Sequence, residues 1–166
     1  MHSPNSDLKG KGREIIYRAI HPSDEPQVQQ LVTMILSKEF PADSSAYDAE
    51  DLNRLKETYA SPSNAFFVAE KEHRVIGTCG VKSDGPHTAI LRRLFVDPGC
   101  RRQGIGAGLL KKALEFCRDS RFHEVVIRTS NRMEQAIRLC ESFGFKENGR
   151  WTMGQITLIR LTLRLA

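Results

Sequence analysis

The stretch from Leu91 to Leu110, LRRLFVDPGCRRQGIGAGLL, holds the residue types and spacing that could do chemistry. Strand-forming residues close at Asp97-Pro98-Gly99, a loop rich in arginine and glycine follows, and a helical pattern opens on small residues at Gly104, Gly106, Ala107 and Gly108. That order makes an anion site, because the first N–H groups of a helix lack partners and its positive end is not shielded by side chains. A phosphate must touch backbone amides, so Gly104 and Gly106 are expected to allow close approach, with Arg101 and Arg102 supplying charge. One helix end contributes only about 0.3–1 kcal/mol per anionic group, up to about 2 when partly buried, so several amides and arginines must act together. The segment is not a dinucleotide fingerprint, since G-x-G-x-x-G would need glycine where Leu109 stands. It is not a P-loop either, since no G-x-x-x-x-G-K-[ST] occurs.

The elements that must position this loop follow from periodicity and breakers. Glu14 to Ile20 reads as a strand, and Pro22-Ser23-Asp24 precedes a helix over Glu25 to Phe40 whose core face is Val28, Leu31, Val32 and Ile35. After Pro41 and a polar loop, Asp48 to Tyr59 reads as a second helix on Leu52 and Leu55. Ala65 to Glu70, Val75 to Val81 and Thr88 to Val96 are strands of an antiparallel meander, and Gly104 to Ser120 is a long helix burying Leu110, Ala113, Leu114 and Cys117. Glu124 to Thr129 is a strand, and Met133 to Phe143 is a helix stopped by Gly144. Phe145 to Trp151 and Gln155 to Leu165 are the last strands. Strands in runs plus strands alternating with helices give a mixed α/β (α+β) sheet.

Composition narrows the function. At 166 residues the chain fits one domain, and 40% apolar residues fit a globular core. No apolar run reaches the roughly 18 residues of a membrane helix. Lys and Arg number 25 against 20 acids, a net +5, which suits an anionic partner such as nucleic acid, a membrane surface or a phosphorylated cofactor. Nucleic acid is disfavoured, because the charge forms no helical stripe and aromatics are only 7%, leaving no stacking platform. Residues 1–13 read as a flexible tail and not a signal peptide, with residues 14–166 as the single domain and the cytoplasm as the expected location. Cys79, Cys100, Cys117 and Cys140 have no metal or C-x-x-C spacing and are expected to be reduced, buried thiols; no metal is expected.

Two segments carry a family resemblance. Arg101-Arg102-Gln103-Gly104-Ile105-Gly106 matches a Q/R-x-x-G-x-G/A signature after the strand LRRLFV, and Ala136 to Phe145 (AIRLCESFGF) matches A-I-x-L-Y-x-x-x-G-F. In this order they resemble the GNAT superfamily of N-acetyltransferases. The resemblance implies the GNAT acyl-CoA N-acyltransferase fold, a mixed central sheet of about seven strands flanked by about four helices. It also implies acetyl-CoA as cofactor and an amine on a small molecule or peptide as acceptor, without a nucleic-acid or membrane partner. Backbone groups of Leu94, Phe95 and Val96 would then meet the pantetheine arm in a splay between the strands ending near Val96 and Thr129. Amides from Arg101 or Arg102 through Gln103, Gly104, Ile105, Gly106 and Ala107 would hold the pyrophosphate, and Asn131 matches an asparagine that contacts the cofactor. A homodimer could form through the alternating run Ile156 to Leu165.

Acetyl transfer needs a neutral amine, donors for the thioester oxygen and a proton for the leaving thiolate. The resemblance implies an oxyanion donor near Val96, where the strand bulges. Cys140 stands where the family has its tyrosine acid, and reads either as that acid or as core packing. Glu39 reads either as the general base on the acceptor wall or as a solvated helix-end charge; Tyr47, Asp48, His73 and His87 are further candidates with turn or surface alternatives. Strand alternation puts Arg92 and Arg93 on opposite faces, where one could bind an acceptor carboxylate or both could be solvated. Trp151 reads as core or as a wall of the acceptor cleft. A second reading is a non-catalytic acyl-CoA-binding sensor or interaction module on the same fold.

Overall fold

The computed structural model describes residues 14–43 and 50–165. The expected tail and the candidates Tyr47 and Asp48 lie outside these residues. In chain order the elements are β1 (Ile16–Ala19), α1 (Glu25–Glu39), α2 (Glu50–Asn53), α3 (Leu55–Thr58), β2 (Ala65–Lys71), β3 (Arg74–Ser83), β4 (Thr88–Val96), α4 (Ile105–Asp119), β5 (Glu124–Ser130), α5 (Glu134–Ser142), β6 (Lys146–Met153) and β7 (Ile156–Arg164). Among the described residues five α-helices stand where about four were expected. The single helix read through Leu52 and Leu55 is two short ones, because Arg54 between them leaves helical geometry at φ −135°. Short 3-10 turns at Pro22–Asp24 and Pro98–Cys100 introduce α1 and the arginine-rich loop.

The seven strands form one sheet in the order β1-β2-β3-β4-β5-β7-β6. All neighbours are antiparallel except β4 and β5, whose parallel pairing runs only from Thr88 opposite Glu124 to Leu91 opposite Ile127. β5 stays paired with β7 as far as Ser130, so beyond Leu91 the two parallel strands separate and leave a gap in the middle of the sheet.

Alternating side chains place one core on each face. Phe67, Ala69, Ile76 and Leu91 pack with Leu109, Leu110, Ala113, Leu114 and Cys117 of α4. Phe66, Val68 and Val75 pack on the other face with Val28, Leu31, Val32 and Ile35 of α1 and with Leu52 and Leu55. A buried side chain of this size contributes about 1.5–3 kcal/mol, so the two cores clamp the sheet around its central gap. At the far edge, β6 is exposed along nearly its whole length, including Trp151 and Met153. All four cysteines are free and buried. Among the described residues, no helix is long and apolar enough to cross a membrane, and no three His, Cys, Asp or Glu side chains gather as metal ligands.

Candidate functional site

The gap is made by a bulge in β4. Gly80 of β3 lies opposite Arg92 and Thr78 opposite Phe95, so Arg93 and Leu94 share the place facing Cys79. The bulge therefore sits at Arg93, earlier than the position near Val96 that the resemblance implied. Arg93 has φ +57°, a conformation uncommon for a long side chain. The extra residue resets the alternation of the strand. Leu91 packs on the α4 side, whereas after the bulge Phe95 packs on the α1 side and Leu94 and Val96 turn toward α4.

This corrects the placement of the two arginines. They do not diverge to opposite faces. The Arg93 guanidinium donates to Asp51 of α2 from Nη2 at 2.5 Å and Nε at 3.1 Å, and Arg92 Nη2 lies 3.8 Å from the same carboxylate. Burial by itself would raise the Asp51 carboxyl, but the Arg93 guanidinium, with Arg92 beside it, outweighs burial and holds it below the usual aspartate range.

On one side of the gap lies a cavity of about 660 Å³. Its walls are Leu94, Phe95 and Val96 of β4, the loop and first turn of α4 from Cys100 to Ala107, the end of α1, and Arg132 to Leu139 at the start of α5. Gly104 stands at the N-cap of α4 with φ +75°, and a Cβ there would meet nothing within 4 Å. The N-cap residue has no side chain to offer the first amides, and Gly104 to Ala107 line the cavity. A Cβ on Gly106 would come within 3.0 Å of Leu139, narrowing the floor. Gly108 has a different role: a Cβ there would fall 2.2 Å from the Tyr17 ring, so this glycine lets β1 pack against α4. The cradle of open amides fits a pyrophosphate.

Four of the expected residues take other places. Arg101 is occupied: Nη1 and Nη2 donate to the Glu39 carboxylate at 2.5 and 2.7 Å, and Nε donates to the Val96 carbonyl at 3.3 Å. Glu39 consequently belongs to the wall of this first cavity, held by an arginine, and not to the acceptor side as expected for a base. Charge toward an anion falls instead to Arg102, in the loop, and Arg132. Gln103 is exposed and accepts from Lys71 Nζ at 3.4 Å. Asn131 is exposed and accepts the Thr157 N–H at 3.0 Å while its own N–H donates to the Thr157 carbonyl at 2.8 Å; it ties the end of β5 to β7 and lines neither cavity.

Cys140 takes the core-packing place of its two readings. It is fully buried in the α4 core and lines neither cavity, and burial pushes its thiol up to about 12. Helix periodicity turns its position inward while Leu139 takes the cavity wall. Cys140→Ala is expected to cost about 1–2 kcal/mol of stability and to leave kcat within about three-fold of wild type, where loss of a general acid would cost about 10²–10⁴. Steady-state kinetics beside a urea melt separates the two.

A second cavity of about 430 Å³ opens on the gap between the β3–β4 turn and β6. Ile90, Leu91, Ile127 and Leu158 give it an apolar floor, Trp151 stands in its wall at 41% exposure, and Lys82, Arg92, Arg93 and Arg128 surround it, with Asp84 as its one carboxylate among the described residues. His73 and His87 do not reach either cavity: the first is exposed beside Glu70, and the second stacks on His123 with ring centroids 4.4 Å apart. The two cavities share Leu94, Phe95, Met133 and Ala136, which mark the passage between them. The sequence reading missed Asp43, Asp51 and Thr78. Asp43 is fully buried after α1, accepts a short hydrogen bond from Ser130 Oγ at the end of β5, and lies 3.8 Å from Arg132. Nothing near any of the three in the chain marks them, because each partner is remote.

Comparison with known proteins agrees with this architecture. Residues 29–145, more than half of the chain, match the model of the acetyltransferase (GNAT) family. Human N-acetyltransferase 8 is 35% identical over 106 residues, 60% of this chain and 47% of that protein. The chain spans about half the length of the curated relatives it matches. Among solved structures, an acetyltransferase of the GNAT family from Staphylococcus aureus Mu50 superimposes with TM-score 0.81 at 20% identity, covering 92% of this chain and all of the other. YncA of Salmonella typhimurium, solved with its cofactor acetyl-CoA, superimposes with TM-score 0.76 at 18% identity over 92% of this chain and 94% of its own.

Proposed function

The chain belongs to the acetyltransferase (GNAT) family, and on that premise we propose that it is an N-acetyltransferase, passing the acetyl group of acetyl-CoA directly to a primary amine of a small molecule or peptide. The observation that carries this reading is the pair of cavities meeting at Leu94 and Phe95, where β4 parts from β5. The larger has an open helix end for a pyrophosphate, and the smaller has room for an amine. Acetyl-CoA, when bound, supplies an activated acyl group as its thioester.

The chain's own residues do the rest. Amides of Ile105, Gly106 and Ala107 bind the pyrophosphate, with Arg102 adding charge. The β4 edge from Arg92 to Val96, which has no β5 partner, offers backbone hydrogen bonds to an extended arm. The Leu94 N–H, on the β4 edge that β5 has left, polarises the acyl oxygen at the passage. The four residues shared by the cavities carry no acid or base. We assign the proton of the leaving thiolate to water, and the amine arrives neutral. The rate should rise with pH until the acceptor's own amine has lost its proton, a profile that changes when the acceptor is changed.

The charge of the smaller cavity favours an acceptor that also bears a carboxylate. Arg93 is neutralised by Asp51, but Arg92 keeps side-chain exposure of 30% and only a loose contact with that acid. Arg92→Ala is expected to raise KM for a carboxylate-bearing amine about ten-fold, or about 1.4 kcal/mol, without changing the Kd of acetyl-CoA. An unchanged KM for such an amine removes the carboxylate from the proposal. The reading as a whole is tested by CoA release from acetyl-CoA over a panel of amino acids, polyamines and peptides. Binding of acetyl-CoA with no release on any amine would favour a sensor module.

A further inference from the structure

We propose that Asp51 and Thr78 are positioning residues for acetyl transfer: they hold the bulge at Arg93 and so set where the Leu94 N–H group stands in the passage. The inference rests on the acetyl-transfer reading above and names two residues, neither lining a cavity, that act through a third.

Arg93 occupies a left-handed conformation inside a strand, uncommon for a long side chain and held there by its surroundings. Here it is gripped at both ends. Its carbonyl accepts from the Thr78 hydroxyl at 2.6 Å, and its guanidinium is held by two bonds to Asp51. Both holders are themselves immobilised by burial: Thr78 is fully buried and Asp51 is 5% exposed. Tyr59 adds an O–H bond to Asp51 at 3.4 Å, with its ring so close over Gly80 that a Cβ there would lie 2.8 Å from the phenol oxygen. Gly80 in turn is opposite Arg92, where the bulge begins.

A bulge withdraws backbone groups from the ladder, and a buried carbonyl so withdrawn needs another donor. Thr78 supplies it from the neighbouring strand. The residues that follow, Leu94 and Phe95, belong to both cavities, so any relaxation at Arg93 moves the passage itself. The clamp also joins α2 to β4, which ties the α1 side of the sheet to the point of transfer.

The test reads the carbonyl ¹³C shift of bound [1-¹³C]acetyl-CoA, together with Kd for acetyl-CoA and CoA. It compares wild type, Thr78→Val, Thr78→Ser and the charge-neutral double variant Asp51→Asn with Arg93→Gln, each checked for folding by circular dichroism. In wild type the bound carbonyl is expected to move away from its free position. Thr78→Val and the double variant should return it toward that position while Kd changes less than about three-fold, and Thr78→Ser, which keeps the hydroxyl, should restore it. If either variant does not fold, the other against Thr78→Ser and wild type carries the comparison. A bound carbonyl that keeps its wild-type shift in a folded variant overturns the inference, as does a wild-type shift equal to that of free acetyl-CoA. Absence of acetyl-CoA binding to wild type overturns the acetyl-transfer reading and the inference with it. Normal wild-type binding with unmoved variants overturns the inference alone.

Discussion

Gly104→Val abolishes the rise in Tm that acetyl-CoA gives the wild-type protein. A ligand at about 100 times its Kd adds about 2.7 kcal/mol to folding stability, a readily measured shift. Gly104 holds φ +75° at the start of α4, where a non-glycine residue costs about 1–2 kcal/mol and a β-branched one more. Valine relieves this strain only by rotating the backbone, which swings the first amides of the helix away from the cavity. Losing two hydrogen bonds to a charged phosphate, at about 1.5–3 kcal/mol each, weakens binding more than about 100-fold. Steric blockage of the unliganded protein is not the cause, since nothing lies within 4 Å of the added Cβ.

A matched control separates strain from recognition. Gly85 in the β3–β4 turn has φ +83° and the same open surroundings, but lies outside both cavities. Gly85→Val should lower Tm of the free protein by a similar amount and leave the acetyl-CoA shift intact. Equal ligand shifts in wild type and Gly104→Val would remove the α4 end from the cofactor site. A pantetheine fragment lacking the pyrophosphate should stabilise neither protein appreciably.

The second large effect is on folding. Asp51→Ala should cost about 3–5 kcal/mol, because it breaks a buried ion pair by removing the carboxylate to which Arg93 donates from Nη2 at 2.5 Å and Nε at 3.1 Å. Of a total that is about 5–15 kcal/mol for a domain, this is a large share, and the variant should melt far below wild type. The double neutral variant should recover much of that loss, since both charges of the pair are then removed together. Acid titration gives an independent check. The folded Asp51 carboxyl lies below its ordinary value, so its stabilisation is complete above the unfolded value of about 3.9 and is lost as pH falls through the lowered folded one. Wild type should therefore lose stability faster than Asp51→Ala on acidification below about pH 4. Asp24, held low by Arg18 hydrogen bonds, loses its own contribution in both proteins and does not alter the comparison. A parallel fall of the two proteins would mean that Asp51 is not ionised by virtue of Arg93.

Much of this molecule could be read from neighbouring residues alone. The anion loop needed only a strand end, arginines and glycines in order, and the structure has Gly104 at the helix start with positive φ. The inward faces of α1 and α4 followed from helical period, and Val28, Leu31, Val32, Ile35, Leu110, Ala113, Leu114 and Cys117 are all buried. These properties are local: a few consecutive residues fix the backbone, and the period of the backbone fixes the face.

The chemistry of the remaining side chains was decided by partners distant in the chain. Arg93 meets Asp51 across 42 positions, Arg101 meets Glu39 across 62, and Ser130 meets Asp43 across 87. No local pattern encodes such pairs. Charge and spacing gave Arg101 to an anion, and the family resemblance offered Glu39 as a base beside a solvated alternative, while folding gave the two to each other. Cys140 aligned with an acid in a motif, yet one rotation of the α5 face put it among the apolar residues packed on α4 and left Leu139 at the cavity. A single inserted residue in β4 had the widest consequence. Period two predicts diverging arginines, but the bulge at Arg93 reverses the parity, opens the sheet and joins the two cavities. A bulge of this kind exists only where buried groups from other elements satisfy its displaced carbonyl and side chain, so tertiary contact alone could create it.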